Sequence, residues 1–86
     1  MTEEGHYGIA RALMRHPEWR GRLEHAAAAD DLLADICGSY AVAWRGFEYW
    51  SAEDGFWANQ HVAEYEASIE RLEADIEFCL AEAKLH

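Results

Sequence analysis

The chain has 86 residues, 51% of them hydrophobic and 13% aromatic, with one proline, a composition too apolar for a disordered tail. Its length allows a single small domain with a thin core, so self-association is expected to add to that core. Seventeen acidic residues against seven basic leave a net charge of −10, which disfavours nucleic acid and anionic lipid as partners. No run of about 20 apolar residues is present to span a bilayer, and the N-terminus MTEEGHYG lacks the basic-then-apolar order of a signal peptide, so a cytoplasmic setting is expected.

Ala, Leu, Glu and Arg dominate and β-branched residues are scarce, which predicts helices and no sheet. Residues 7–15, YGIARALMR, form a short amphipathic stretch with Ile9, Leu13 and Met14 toward one side. Pro17 suits the first turn of a helix with His16 just outside it, and Trp19, Leu23 and Ala26 give that helix an apolar edge. At Asp30 two readings are open. Either residues 17–52 are one long helix, or a short helix over 17–28 stops there and Asp30 and Asp31 cap the next one.

Residues 1–30 are thus an N-terminal helical arm. Its charges balance, with Arg11, Arg15, Arg20 and Arg22 against Glu3, Glu4, Glu18 and Glu24 up to residue 29, so the excess negative charge lies in residues 30–86. These arginines either form solvated surface or dock the arm on the acidic remainder of its own chain or of a second copy.

The next two elements read as an antiparallel hairpin over 31–52 and 57–85. In the first, Leu33, Cys37, Tyr40, Trp44 and Phe47 recur at spacings of four and three. In the second, Ala58, Val62, Tyr65, Ile69, Leu72, Ile76, Cys79 and Ala83 continue the same alternation over a helix roughly 43 Å long. Glu64, Glu66, Glu70, Arg71, Glu73, Asp75, Glu77 and Glu82 fill the intervening positions and are expected to be solvated. Facing residues of such a hairpin have a constant index sum. Pairing Phe47 with Val62, Trp44 with Tyr65, Tyr40 with Ile69, Cys37 with Leu72 and Leu33 with Ile76 satisfies that rule and centres the turn between Asp54 and Gly55. Gly there accepts positive φ, and Asp54 is placed to cap the following helix.

A second stripe needs covering: Leu32, Ile36, Ala43 and Trp50 on one helix, and Ala67, Ala74, Phe78, Ala81 and Leu85 on the other. The arm folding back as a third helix would cover it, as would a second hairpin pairing into a four-helix bundle. The homodimer, assisted by the arms, is the expectation. Gly38 and Gly46 each cost about 1 kcal/mol relative to Ala in a helix interior, which marks both as expected points of close approach.

Residues with possible chemistry are few. Cys37 and Cys79 lie about eight helical residues, or roughly 12 Å, apart in this register, too far for a disulfide within one chain, so free buried thiols are expected. His61 with Glu64, like Glu3 with His6, has the i,i+3 spacing of a carboxylate–histidine metal pair, but the core positions that would complete such a site are apolar. Tyr49, Trp50, Phe56 and Trp57 crowd the turn, more aromatics than a hairpin tip needs, and with Leu32, Ile36 and Phe78 they are the candidate interaction residues. No Ser-His-Asp order, phosphate-binding glycine loop or catalytic carboxylate pair is present.

The run HPEWRGRLEHAAAADDLLADICGSYAVAW, followed by VAEYEASIERLEADI, resembles the small bacterial YdcH-type helical hairpin proteins over about residues 16–80. The resemblance rests on the Pro-then-aromatic start, the leucine-rich turn and a second helix opening like EYxxxIxxLExxI. It implies an antiparallel two-helix fold without catalytic residues; the tryptophan-rich turn and the arm depart from it. Together these readings predict an all-α hairpin with an N-terminal helical segment, dimerising into a bundle. Its expected function is a small cytoplasmic protein–protein interaction module without catalysis or cofactor. The alternative is a metal- or small-ligand-binding bundle using His61 and Glu64.

Overall fold

Local chemistry starts and stops each helix. In a computed structural model of the protein, which describes residues 2–84, helix α1 spans Glu3–Arg15 and begins at Thr2, whose hydroxyl accepts a 3.0 Å bond from the Gly5 N–H. Glu3 and Glu4 add the negative charge that a helix N-terminus favours. A 3-10 turn at Pro17–Trp19 follows, and the chain then reverses at Gly21, where φ is +82°. Helix α2, Arg22–Ala29, opens with the Glu24 carboxylate accepting from the Gly21 N–H at 2.9 Å.

The open choice at Asp30 is resolved as a break, but the short helix before it is corrected from 17–28 to Arg22–Ala29, because Pro17–Trp19 is a separate 3-10 turn and Gly21 reverses the chain. Asp30 is extended, and its side chain accepts from Leu32 N at 3.0 Å and Leu33 N at 3.5 Å, so it caps helix α3, Asp31–Ser51. Helix α4 runs Phe56–Lys84. Gly55, at φ +115°, makes the turn between them, and Asp54 forms no capping hydrogen bond among the described residues. The expected Asp54 cap is thereby corrected: Gly55 supplies the positive φ of the reversal, and Ala52 and Glu53 donate back to Tyr49 and Trp50 at the end of α3.

Among the described residues every regular element is helical. Helices α3 and α4 pack antiparallel, α1 lies along α3, and α2 bridges to the far end of α4. The molecule measures 47 × 22 × 21 Å, its long dimension set by α4 at about 43 Å. Leu23, Leu33, Cys37, Tyr40, Ile69 and Ile76 are fully enclosed, and Ile9, Ala12 and Trp19 of the arm join the same core. The arm therefore covers the hairpin from within one chain. Met14, expected on the arm's apolar side, faces water instead.

The hairpin register differs from the constant-sum pairing. Trp50 stacks on His61, and Tyr65 packs over Gly46, each two positions further along α4 than that pairing places them, while the Tyr40 hydroxyl reaches Glu73, four positions further. Helical side chains cover a spot about one position N-terminal to their own Cα. In an antiparallel pair the two offsets add, which accounts for the shift of two at Trp50 and His61, while the length of the tyrosine side chain adds to the single offset at Tyr65 over Gly46 and to the reach of Tyr40.

Two glycines sit where helices touch. A Cβ at Gly8 would collide with the Cys37 carbonyl, so α1 meets α3 backbone to backbone there. At Gly46 a Cβ would strike the Tyr65 ring, in keeping with the expected close approach. Gly38 does not share that role: nothing lies within 4 Å of the position its Cβ would take.

Candidate interaction surfaces

The arm is held by a polar seam around Trp44. Glu73 of α4 is only 8% exposed, although its position predicts a solvated face, and this is the main correction to the reading of α4. Its carboxylate accepts a 2.6 Å bond from the Tyr40 hydroxyl and pairs with Arg15 Nε at 2.7 Å, with His16 Nε2 at 3.6 Å. Burial and the bond to Glu73 push the Tyr40 hydroxyl well above its ordinary pKa, so it remains a donor at any physiological pH. The His16 ring lies flat on Trp19 at 4.0 Å and meets Glu18 at 3.2 Å on its other nitrogen.

Trp44 Nε1 is buried with no hydrogen-bond partner among the described residues, so the indole is held through its ring. Arg11 and Arg15 sit 4.4 and 5.5 Å from its centroid, and Tyr40 and Phe47 meet it edge-on. Further along the seam, Glu48 accepts a 2.6 Å bond from the Tyr7 hydroxyl and pairs with Arg11, and these two contacts hold its carboxyl below the usual range. Arg45 completes the seam from α3, 3.4 Å from Glu4 and 4.9 Å from the Tyr7 centroid. Of the two readings for the arm's arginines, Arg11 and Arg15 follow docking in cis, while Arg20 and Arg22 stay exposed.

The hairpin tip is built differently. Tyr49, Phe56 and Trp57 are 61%, 74% and 68% exposed. Phe56 and Trp57 meet edge-on at 5.4 Å, as do Tyr49 and Trp50 at 5.1 Å. Trp50 is half-buried against His61 at 4.3 Å, which withdraws part of it from the candidate surface. At the opposite end, Leu32 and Phe78 are exposed and line one depression with Cys79 and Ala83. Ile36, grouped with them in the sequence reading, is corrected: it is half-buried against the core and is not free surface. Ala43 is buried, whereas Ala67, Ala74 and Ala81 face water; Leu85 lies outside the described residues.

The structure places His61 Nδ1 3.5 Å from Glu64 and brings no third ligating side chain to them; among the described residues no group of three His, Cys, Asp or Glu is arranged to hold a metal ion. Cys37 and Cys79 are free thiols. Burial, with Cys79 nearby, pushes Cys37 up to about 11, and burial also raises Cys79, which leaves neither poised as a nucleophile. Among the described residues no helix is long and apolar enough to cross a membrane.

Sequence reasoning missed Glu73 and Leu80 because they belong neither to the seam from Ala58 to Ala83 nor to the second stripe through Ala67, Ala74 and Phe78. Ile69, Glu73, Ile76 and Leu80 repeat at four, three and four, a second inward edge that faces the arm, whereas the sequence reading placed Glu73 among the solvated positions between seam residues. No family model matches the chain, and neither a curated protein nor a solved structure matches it.

Proposed function

We propose that this protein is a small acidic interaction and oligomerisation module without catalysis, which pairs with a second copy through the open end of its hairpin. The observation that carries the reading is the placement of Leu32 and Phe78, two large apolar side chains exposed side by side on neighbouring helices. Ala67, Ala74 and Ala81 extend that surface along α4 with side chains small enough for a second helix to approach closely. Isolated surface apolar residues are ordinary, but adjacent ones on two helices of so small a domain favour a partner surface. The resemblance to YdcH-type hairpins, which implies no catalytic residues, is in keeping with the same reading. The cytoplasmic setting belongs to this proposal.

Sedimentation velocity over a range of protein concentrations tests it. A dimer is expected that Leu32→Asp with Phe78→Asp converts to folded monomer. A wild-type monomer at every concentration, or a double variant of unchanged mass, contradicts it.

A further inference from the structure

The tip carries the strongest unmatched chemistry in the molecule. Between Arg45 and Arg71 the sequence contains no lysine or arginine, while Glu53, Asp54, Glu64, Glu66 and Glu70 all fall in that stretch; Glu48, also within it, already pairs with Arg11 of the arm seam. Tyr49, Phe56 and Trp57 are displayed on both sides of the turn, beside Glu53 and Asp54, and all are exposed.

The fold itself shows what aromatic rings and carboxylates do together in this chain. Arg11 and Arg15 lie over Trp44 while pairing with Glu48 and Glu73, and Arg45 lies over Tyr7 while pairing with Glu4. Among the described residues every contact of this kind belongs to the arm seam and none to the tip. The seam has its cations; the tip has rings and carboxylates without them.

Resting on the interaction reading above, we propose that the tip docks an arginine-bearing segment of a partner protein. Its guanidinium groups stack on Phe56, Trp57 and Tyr49 and pair with Glu53 and Asp54. Charge complementarity selects a cationic partner and opposes phosphate backbones and anionic lipid. Arginine is selected over lysine because a planar guanidinium stacks on a ring face and forks onto a carboxylate at once, whereas an ammonium ion is a strongly hydrated point charge.

The test is a calorimetric titration of the full chain with hexa-arginine amide and, separately, hexalysine amide, at low and at physiological ionic strength. Hexa-arginine is expected to bind more tightly than hexalysine and to quench tryptophan fluorescence. The double variant Phe56→Ala/Trp57→Ala is expected to weaken hexa-arginine binding about fivefold or more, as loss of two exposed cation–π contacts implies. Glu53→Gln/Asp54→Asn is expected to weaken it similarly. A triple variant of α4, Glu66→Gln/Glu70→Gln/Glu77→Gln, removes more charge away from the tip and should weaken it less.

Equal affinity for the two peptides, or an α4 variant that loses more binding than the tip variants, overturns the proposal in favour of diffuse attraction to an acidic surface. Binding to phosphatidylcholine vesicles that the tip variants abolish overturns it in favour of lipid insertion. A monomeric protein that still binds hexa-arginine at its tip would remove self-association and leave this site standing, so the two readings fail separately.

Discussion

The arm seam and the hairpin tip are made of the same residue types and reach opposite outcomes. Each combines tryptophan, tyrosine and carboxylates. In the seam, Arg11, Arg15 and Arg45 supply cations from within the chain, and Glu73, Tyr40 and Trp44 are buried as a result. At the tip no cation is available for twenty-five consecutive positions, 46–70, and Tyr49, Phe56 and Trp57 remain in water. Aromatic content alone therefore does not decide whether a region folds inward. What decides it is whether the chain can satisfy the carboxylates that accompany the rings, because a buried charge without a partner is costly.

Four substitutions and one labelling experiment sharpen that contrast. Of these, Glu73→Ala at the seam should have the largest effect: it removes the carboxylate that Tyr40 and Arg15 share and should cost about 2–3 kcal/mol in a urea titration, toward the low side for a buried pair because Arg15 can turn to water. A loss below about 0.5 kcal/mol, typical of surface positions, would return Glu73 to the surface. Next, Gly8→Ala presses a methyl group on the Cys37 carbonyl and should destabilise by about 1–3 kcal/mol, while Gly38→Ala, with open space around it, should stabilise by about 1 kcal/mol. Equal effects at the two glycines would mean that α1 does not lie on α3.

Glu48→Gln should cost less than about 1 kcal/mol, since the Arg11 pair is partly exposed. Its sign with pH follows from the lowered pKa. A depressed carboxylate stabilises the fold above its ordinary pKa, and that contribution is lost as pH falls through the folded-state value. Melting temperatures of wild type and variant should therefore differ at neutral pH and converge in acid; a gap that widens in acid contradicts the contact. The smallest effect is kinetic. Iodoacetamide should label half-buried Cys79 before Cys37, whose pKa of about 11 leaves little thiolate near neutrality, and the reverse order would contradict the burial of Cys37.

Much of the fold was legible because helix signals are local. The seam Leu33, Cys37, Tyr40, Trp44, Phe47 and the continuous pattern of α4 carry their own periodicity, and Gly55 marks the reversal. What was not legible depends on a third element. Glu73 reads as a solvated glutamate until α1 brings Arg15 to it, Gly8 reads as an ordinary helix weakness until α3 lies against it, and Ile36 reads as free surface until the core closes over part of it. The register shift of two has a different origin, the backward lean of helical side chains, which an index sum over Cα positions omits. The tip was legible as an aromatic excess, and Tyr49, Phe56 and Trp57 are exposed where the pattern placed them outside the seam, whereas the stacking of Trp50 on His61 needed both helices in place.

The most direct test compares two tryptophans in one measurement, the urea unfolding midpoints of Trp44→Ala and Trp57→Ala. Trp44, enclosed by Arg11, Arg15, Tyr40 and Phe47, should lose about 3–5 kcal/mol on truncation, while Trp57 should stay within about 0.5 kcal/mol of wild type. A Trp57 variant destabilised as much as the Trp44 variant would show that the tip belongs to the core and would contradict the division of the molecule into a self-satisfied seam and a tip left for a partner.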